Sequence, residues 1–485
     1  MSTGRDRGAL AIVLHTHMPY VEGFGTWPFG EEWLWEAIAG SYLPLLDLLD
    51  SGAPLSVSLT PVLCDQLQAP GWQQRFASFV EEVRRDTHED DAAGMRRVGH
   101  EDLARELERS WRDYELALAA LQRRGDDLIG AFAPYAQWTS AATHAVLPLL
   151  ATDAGVRAQV QSGIDSHRAR FGEGWRGGFW LPECAHERRL EPQLADAGVH
   201  STCVELTARF GLGAREHLRP LIGDAGVVLV PIDRATIDLV WSDRGYPADG
   251  AYRDSHHHTI HHHTPWSNDG APYDHARALV RTKQHAADFV ARTIARLRDA
   301  GAGLPGGGLA VCALDTELLG HWWYEGIAWL SAVVHECSRQ GLELVALDDA
   351  LARLEPAPTS QWRDIDGEGA ARCGRFGEER QATSWGAHGD LSTWSGPAVA
   401  EVAFTLRRAE LEVMAAGARA DRTALRELLA LQSSDWAFMI ARGIAAPYAR
   451  ERIAGHRQAL RRALVAPGDV GVPALRNLAP YAITP

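Results

Sequence analysis

The chain has 485 residues, 46% of them hydrophobic and 23% charged, which is typical of a globular protein with one large and one smaller domain, or of a barrel with additions. The formal net charge is −15 and there is no strong basic block, which argues against nucleic acid and anionic membranes as partners. Six cysteines are scattered without a CxxC pair, residues 1–7 lack the apolar region of a signal peptide, and no apolar run could span a bilayer. We therefore expect a soluble cytoplasmic protein with reduced thiols.

The first part of the chain alternates between short apolar runs, which predict buried strands, and amphipathic stretches, which predict helices. Strands are predicted at residues 10–14, 55–60, 128–132, 179–181, 202–204, 227–230, 309–314 and 344–347. Helices are predicted at 31–49 and 275–299, and a charged helical insertion is predicted near 76–124. Strand–helix alternation over about 350 residues predicts a parallel sheet, either open or closed into a barrel.

A proline-containing break at residues 355–360 separates this part from a mostly helical remainder. Helices are predicted there at 398–416, 422–440 and 447–463. The pattern therefore predicts a catalytic α/β domain over residues 1–355 and a C-terminal helical domain over residues 360–485.

Two segments place acidic residues at the ends of predicted strands, next to tryptophan and histidine. In one, an apolar run stops at Asp315, and Glu317, a histidine and two adjacent tryptophans follow. In the other, Trp-Leu-Pro leads directly to Glu183, and a cysteine, an alanine and a histidine follow. Barrel enzymes place catalytic groups at the carboxyl ends of buried strands. Indole rings suit the C–H face of a sugar and carboxylates suit its hydroxyls, so the pattern predicts a paired-carboxylate glycosidase site.

The first predicted strand ends in His15 and His17, which point the same way if the strand continues through them. One interpretation is that they bind hydroxyls of the sugar at the cleavage point, joined by His144. A second is a metal site of a deacetylase-like hydrolase, because His-x-His is also a metal-ligand spacing. A third is that these histidines are bonded only to protein groups within a packed strand end.

Several motifs, in the same order along the chain, resemble those of glycoside hydrolase family 57, and within it those of the 1,4-α-glucan branching enzymes. They are His-Thr-His-Met-Pro-Tyr at 15–20, Trp-Leu-Pro-Glu-Cys at 180–184, Asp-Thr-Glu-Leu-Leu-Gly-His-Trp-Trp at 315–323, and the segments 139–150, 382–386 and 431–436. The resemblance covers nearly the whole chain. It implies a distorted (β/α)7 TIM-like barrel with a helical insertion, and a C-terminal helical domain that closes over the cleft.

The resemblance implies Glu183 as the nucleophile and Asp315 as the general acid/base, without a cofactor or metal. The residues themselves agree, because a retaining mechanism needs one ionised and one protonated carboxyl roughly 5–5.5 Å apart. Glu187 and Glu317 are the alternatives. The expected partner is an α-glucan polymer such as amylose or a glycogen-like glucan. The alternative activities are an α-amylase or 4-α-glucanotransferase with the same catalytic pair, and a noncatalytic glucan-binding protein, which would have no need of both carboxyls.

Further substrate contacts are predicted from aromatic, imidazole and acidic side chains near the motifs. Together with the three histidines above, the predicted substrate-binding residues are Trp27, Tyr246, Trp266, His321, Trp385, Trp394 and Asp435. Trp385 and Trp394 flank a glycine-containing loop, so we expect them to be sugar platforms, and at least one of Trp322 and Trp323 is expected to be core packing.

The segment around Tyr246 resembles the mobile catalytic loop of the branching enzymes, in which a tyrosine at the tip favours transfer over hydrolysis. Glycine and proline on both sides of this tyrosine are typical of a loop. Two histidine triplets, at 256–258 and 261–263, follow in a polar stretch without periodicity, and we do not expect them to bind a metal.

Overall fold

One curled sheet forms the centre of the molecule. The computed structural model describes residues 8–25, 30–358, 382–466 and 475–483. Within these ranges the strands are β1 (Ala9–Thr16), β2 (Ser56–Leu59), β3 (Ala136–Ser140), β4 (Gly178–Trp180), β5 (Ser201–Val204), β6 (Leu221–Ile222), β7 (Val228–Pro231), β8 (Leu309–Asp315), β9 (Glu343–Leu344) and β10 (Ala357–Pro358).

Seven strands are parallel neighbours in the order β7-β5-β4-β3-β2-β1-β8. The two edges of this set approach each other, because the backbone N–H of Asp233, just after β7, donates to the carbonyl of Val311 in β8 at 2.8 Å. β6 pairs antiparallel with β7, β10 pairs with β6, and β9 pairs with β1. This curled parallel sheet confirms the predicted distorted (β/α)7 barrel.

Helices cover the sheet, form the insertion and make up most of the C-terminal part. The α-helices are Glu31–Ala37, Leu43–Asp50, Pro61–Leu67, Trp72–Ser78, Arg85–Arg97, Glu101–Arg123, Leu128–Phe132, Asp153–Phe171, Glu191–Asp196, Thr207–Phe210, Arg234–Ile237, His275–Ala300, Gly326–Gln340, Leu347–Leu351, Ser392–Ser395, Ala400–Ala416, Arg422–Leu431, Ser434–Arg442 and Ala446–Val465. Two π-helical turns, Ile38–Tyr42 and Phe79–Arg84, interrupt the helices around them. No helix in the described parts of the chain is long and apolar enough to cross a membrane.

Two predicted strands were wrong. Residues 128–132 form a helix, because the side chain of Asp127 accepts a hydrogen bond from the backbone N–H of Gly130 and so caps a helical turn. The strand of this unit, β3, begins four residues later. Near 344–347 only Glu343–Leu344 is extended, and a helix already begins at Leu347.

The apolar run at the start of the chain fills the centre of the sheet. Residues 10–14 of β1 are completely buried, and β1 lies between β2 and β8 with the carboxyl ends of all three at the same edge. The hydroxyl groups of Thr16 and Thr316 are 2.7 Å apart and join the ends of β1 and β8. The residues that follow these two strands are therefore neighbours in space, as their motifs require.

The C-terminal helices share a core of their own and press two irregular segments against the barrel. Trp394 and Trp436 belong to this core together with Val146 and Ala185 from barrel loops. The predicted single helix over 422–440 is two helices, interrupted at residues 432–433. That interruption, and the segment around residue 385, are the parts that reach the edge of the sheet.

Candidate active site

Glu183 lies just beyond the carboxyl end of β4, in a strained backbone conformation. Its φ is 62° and that of Cys184 is 49°, both in the left-handed region that non-glycine residues rarely adopt. Pro182 begins the single 3-10 turn that contains both residues. Strained backbone of this kind persists where the surroundings over-determine it, as they do at many active sites.

One side chain from the C-terminal part donates a hydrogen bond to the Glu183 carboxylate. The indole Nε1–H of Trp385 donates to Oε2 at 2.8 Å. Burial raises the pKa of Glu183 to about 6, and the Trp385 indole and the nearby Ser434 hydroxyl oppose the increase. Glu183 is therefore an ionised carboxylate at neutral pH, which is the form a nucleophile needs.

Asp315 is the last residue of β8 and pairs in register with His15 on β1. Burial raises the pKa of Asp315 well above its usual value, and the negative charges of Glu317 and Glu183 raise it further. Burial and these charges therefore favour the protonated form of Asp315, which is the form that a general acid needs. A difference in environment between two carboxyls is what assigns their acid and base roles.

Glu317, the alternative to Asp315, accepts hydrogen bonds from two groups of the barrel. Its Oε1 accepts from the hydroxyl of Tyr42 at 2.6 Å and from the backbone N–H of His17 at 3.1 Å. Burial raises its pKa to about 7. Through these hydrogen bonds, Glu317 connects the end of β8 with the residue after β1 and with the π-helical turn that contains Tyr42.

Three histidine rings stack beside Glu183. The ring centroids of His17 and His144 are 4.0 Å apart, those of His15 and His144 are 4.9 Å apart, and Trp180 stacks on His15 at 4.6 Å. Burial lowers the pKa of His15 and of His144 well below the usual value, so both rings are neutral. The stacked Trp180 indole and the neutral imidazoles of His15 and His144 therefore make this side of the site only weakly polar.

Both ring nitrogens of His15 and His144 have protein partners. The two Nε2 atoms are 2.8 Å apart, His15 Nδ1 lies 3.3 Å from the hydroxyl of Ser58, and His144 Nδ1 lies 2.8 Å from the hydroxyl of Ser434. These contacts are the ones that the third interpretation above expects, and hydrogen bonds from His15 and His144 to a sugar stay a prediction.

His17 forms an ion pair with Asp435. Its Nε2 is 3.0 Å from Asp435 Oδ2, and its Nδ1 is 3.2 Å from the hydroxyl of Thr60. Burial lowers the pKa of His17, but Asp435 outweighs burial and the net pKa lies above the usual value. Burial likewise raises the pKa of Asp435, and His17 brings it down to about 2. Asp435 thus favours a positive charge on His17, next to the carboxyls of Glu183 and Glu317.

One group of side chains in the described parts of the chain has the spacing of a metal site. One ligand atom each of His17, His144 and Asp435 lies within 4.8 Å of the others. Asp435 raises the pKa of His17 and so favours the protonated imidazole, which has no lone pair to give to a cation. The arrangement is that of a hydrogen-bonded cluster.

Comparison with known proteins identifies the family. Residues 137–360 match the family described as Glycosyl hydrolase family 57, and residues 399–468 match a region described as 1,4-alpha-glucan branching enzyme, C-terminal. The chain is 31% identical to 1,4-alpha-glucan branching enzyme TK1436 of Thermococcus kodakarensis, over 94% of this chain and 73% of the relative. It is 32% identical to the probable 1,4-alpha-glucan branching enzyme Rv3031 of Mycobacterium tuberculosis, over 94% and 91%. The chain belongs to glycoside hydrolase family 57.

Solved structures of the family agree with this assignment. The GH57-type branching enzyme of Pyrococcus horikoshii is 31% identical with a TM-score of 0.82, covering 93% of this chain and 88% of that one. TK1436, solved in complex with glucose and additives, is 29% identical with a TM-score of 0.83, covering 99% and 95%. The α-amylase AmyC of Thermotoga maritima shares the fold at 23% identity and a TM-score of 0.76, covering 95% of this chain and 94% of that one.

The two tryptophans predicted as sugar platforms of this family 57 protein have different surroundings. Trp385 contacts Glu183 through its indole and also through its backbone N–H, which donates to the Glu183 carbonyl at 3.0 Å. Trp394 is only 2% exposed and packs against Gly386 within the C-terminal core. The prediction of a sugar platform was wrong for Trp394, which is core packing.

Tyr246 also differs from its prediction. Its side chain is 9% exposed, donates to Asp288 Oδ2 at 2.8 Å and stacks on His285 with 4.5 Å between ring centroids. Asp288 and His285 both lie on the helix His275–Ala300, so Tyr246 fastens its segment to this helix. The glycine and proline residues around Tyr246 predicted a loop, but the side chain packs against this helix. Tyr246 is therefore not at the tip of a loop over the site.

The histidine triplets join the segment after Tyr246 to the helical insertion. His261 Nδ1 and His263 Nδ1 each lie 2.8 Å from a different carboxylate oxygen of Asp91, on the helix Arg85–Arg97. Trp266 stacks on His257 at 3.9 Å, so one of its faces is already covered by protein. Trp27 lies outside the described residues.

His321 lines a cavity of about 270 Å³ between the insertion and the end of β8. The next residue, Trp322, is 49% exposed and also lines the cavity, whereas Trp323 is 1% exposed. The prediction that at least one of these tryptophans is core packing is confirmed. Of the remaining side chains in the site, Ser434, Tyr42 and Thr60 had no sequence signal beyond their nearness to a motif.

Proposed function

We propose that this family 57 protein is a retaining 1,4-α-glucan branching enzyme. The observation that carries the proposal is the pair of carboxyls, Glu183 and Asp315, at the carboxyl edge of the barrel, where burial and neighbouring negative charges favour a proton on Asp315. The segment that matches the branching-enzyme C-terminal region supplies Ser434 and Asp435 to this centre.

In the first half of the reaction, the Glu183 carboxylate attacks C1 of an α-1,4-linked glucan while Asp315 donates its proton to the departing 4-oxygen. The C1–O bond to the leaving chain breaks and an ester bond between C1 and Glu183 forms. The fixed charges of His17 and Asp435 next to the carboxyls are in place before the reaction, so little reorganisation accompanies the change of charge.

In the second half, Asp315 removes the proton of a 6-hydroxyl on an acceptor chain. The acceptor oxygen attacks C1, Glu183 leaves as a carboxylate and an α-1,6 branch results. Repeated turnover converts a linear α-glucan to a glycogen-like polymer. The five cysteines in the described residues are all buried free thiols, which supports a reducing cytoplasm as the location of this synthesis.

The cavity beside His321 is the part of the structure that suits a second stretch of glucan. The exposed indole of Trp322, which follows the loop after Asp315, is part of its lining. Gly320 and Gly40 hold that loop tightly against a π-helical turn, since a Cβ at Gly320 would come within 1.9 Å of the Gly40 carbonyl oxygen. This close packing fixes the position of the segment that carries His321 and Trp322.

The charges of the cavity favour a neutral ligand. Arg84 donates to Glu32 and Glu36 at 2.8 Å each, and Arg253 pairs with Glu106. An arginine that is already paired with a glutamate does not attract a further anion. The paired carboxylates and guanidinium N–H groups are still held in fixed positions, where they can form hydrogen bonds with the hydroxyls of a sugar. His321 and Trp322 are therefore proposed to contact a glucan chain on the insertion side of the site.

The test is incubation of the purified protein with linear amylose. Proton NMR measures α-1,6 linkages, and a reducing-end assay is run before and after debranching. A branching enzyme produces α-1,6 linkages, and the number of reducing ends rises only after debranching. Reducing ends that rise before debranching, without α-1,6 linkages, would instead identify the amylase. Glu183→Gln serves as the inactive control.

A further inference from the structure

A chain of buried side-chain amides runs from the C-terminal helices into the barrel. The carboxylate of Glu410 accepts from the side-chain amide of Gln432 at 3.2 Å, and the carbonyl oxygen of Gln432 accepts from the side-chain amide of Gln159 at 3.0 Å. Gln159 lies on the helix Asp153–Phe171, and its carbonyl oxygen accepts from the backbone N–H of Thr143 at 3.1 Å. These four residues are each at most 3% exposed, so water does not compete for their hydrogen bonds.

Glu410 anchors the C-terminal end of this chain to the barrel. Its carboxylate accepts from the backbone N–H groups of Ala151 and Thr152 at 2.9 and 2.8 Å, and from the Thr152 hydroxyl at 2.6 Å. It lies against the first turn of the helix Asp153–Phe171, where Gly155 leaves room for it, since a Cβ there would come within 2.2 Å of a carboxylate oxygen. The N-terminus of a helix favours a negative charge, and these donors compensate for burial. Glu410 is therefore held in one place.

The two ends of the chain fix the orientation of both amides. The Glu410 carboxylate only accepts, so the NH2 group of Gln432 must face it. The backbone N–H of Thr143 only donates, so the carbonyl oxygen of Gln159 must face it. The Gln432 oxygen then meets the Gln159 NH2, which is the one pairing that both ends allow. The Thr143 hydroxyl accepts the second Gln159 N–H at 3.0 Å and donates to the Leu429 carbonyl. Buried networks with matched donors and acceptors are rigid.

This chain reaches the segment that carries Asp435. Gln432 lies in the interruption between two helices, three residues before Asp435. The backbone N–H of Ser434 donates to the carbonyl of His144 at 3.1 Å, so the interruption also pairs with the barrel through its backbone. Asp435 Oδ2 lies 3.0 Å from His17 Nε2. A displacement of Gln432 therefore moves the partner of His17.

We propose that Gln432 is a positioning residue, which fixes the interruption at 432–433 to the barrel through Glu410 and Gln159 and so holds Asp435 against His17. Hydrogen bonds are directional, so they fix the position of this segment more narrowly than apolar packing would. The inference rests on the proposed function, since the pair of His17 and Asp435 affects turnover only if the reaction takes place beside it. The position of Asp435 itself does not depend on which reaction is catalysed.

The structural test is a set of crystal structures of full-length variants. Gln432→Glu keeps the size of the side chain but replaces the donor to Glu410 with an oxygen, so that two carboxyl groups face each other. The distance between His17 Nε2 and Asp435 Oδ2 should then increase beyond hydrogen-bond range. Thr152→Val is the matched control, since it also removes a donor to Glu410 but leaves Gln432 in place, and the distance should stay at 3.0 Å. An unchanged distance in Gln432→Glu would overturn the proposal.

Kinetics separate positioning from support of the fold. Gln432→Glu should lower kcat by about tenfold with little change in KM. Thr152→Val should lower the melting temperature and leave kcat normal. Gln432→Met removes both hydrogen bonds without adding a charge, and it should lower kcat by about threefold and provide the same comparison if Gln432→Glu does not fold. Equal losses of kcat in Thr152→Val and the variants of Gln432 would contradict the positioning role.

A second substitution should rescue Gln432→Glu. Glu410→Gln in that background places an NH2 group opposite the new carboxylate, so kcat should recover while the melting temperature stays low, because the N–H of Ala151 loses its acceptor. Failure of kcat to recover would contradict the assigned orientation of the chain. If the unaltered protein forms no α-1,6 linkages, the proposed function fails, and the crystal structures still decide the position of Asp435.

Discussion

The barrel edge and the C-terminal segments contribute different things to the active site. Glu183 and His17 follow barrel strands and Asp315 ends one, and in the proposed reaction Glu183 and Asp315 provide the nucleophile and the proton. Trp385, Ser434 and Asp435 come from two C-terminal segments, and each contacts a barrel group: Trp385 contacts Glu183, Ser434 contacts His144, and Asp435 contacts His17. The barrel supplies the proposed reacting groups, and the C-terminal segments supply polar partners around them.

The two regions are also held in place differently. Sheet register fixes His15 opposite Asp315 on neighbouring strands. The C-terminal segments instead pair with barrel loops through short backbone bridges, Thr383 with His186 and Ser433 with Ala145. Loss of a C-terminal contact should therefore weaken catalysis by a modest factor, whereas loss of a barrel carboxyl should abolish it.

The largest expected effect is on the barrel side. Glu183→Gln and Asp315→Asn should each reduce glucan turnover by roughly four orders of magnitude or more, because the nucleophile or the proton donor is lost. The measurement is formation of α-1,6 linkages on amylose. Glu187→Gln should retain full activity, and an inactive Glu187→Gln protein would move the nucleophile to that residue.

A C-terminal contact should matter less. Trp385→Phe keeps an aromatic ring but removes the N–H that Glu183 accepts, so kcat should fall by about tenfold on amylose and on a short aryl maltooligosaccharide alike. Trp394→Phe is the matched control, since Trp394 packs in the core, and its kcat should stay close to normal while its melting temperature falls. A loss confined to amylose in Trp385→Phe would make that indole a remote sugar platform instead.

The two carboxyls should appear as two limbs of the pH profile. Activity should rise as pH increases through about 6, because burial raises the pKa of Glu183 to that value and only the ionised form attacks. Activity should fall again at higher pH when Asp315, whose pKa burial raises well above its usual value, loses its proton. A profile without an acidic limb near pH 6 would show that Glu183 does not titrate as the nucleophile.

Tyr246 provides a test of the loop that the family resemblance suggested. Tyr246→Phe removes the hydrogen bond to Asp288 and should reduce the free energy of unfolding by about 1 kcal/mol. The ratio of α-1,6 linkages to hydrolytic reducing ends should not change, since the side chain packs on the helix His275–Ala300. A lower ratio in a normally stable Tyr246→Phe protein would restore a role in acceptor choice.

The smallest expected effect is that of chelation. His17, His144 and Asp435 have a metal-like spacing, but Asp435 raises the pKa of His17 and so favours the form of its imidazole that does not ligate a cation. Dialysis against a strong chelator should leave branching activity unchanged. A loss that zinc or another divalent ion reverses would favour the metal-dependent interpretation of the His-x-His motif.

The candidate carboxyls can be found from the sequence because their signal is local. A buried apolar strand that ends at an acid, as at Asp315, is visible in a few residues. The contacts of an aromatic side chain, in contrast, depend on distant parts of the chain. Trp385 and Trp394 lie in similar sequence surroundings, but the backbone pairing near residue 383 brings only Trp385 to Glu183. The capped helix at 128–132 was missed because its apolar run has the composition of a strand.

The most direct test of the central claim is to trap the glycosyl-enzyme. An Asp315→Ala protein is incubated with α-maltotriosyl fluoride, whose leaving group needs no proton, and is then digested and analysed by mass spectrometry. Without the base for the second half-reaction, the ester should accumulate, with one maltotriosyl group on the peptide around residues 178–186, attached to Glu183. A label on Glu187 or Glu317, or fluoride release without any covalent label, would contradict the account.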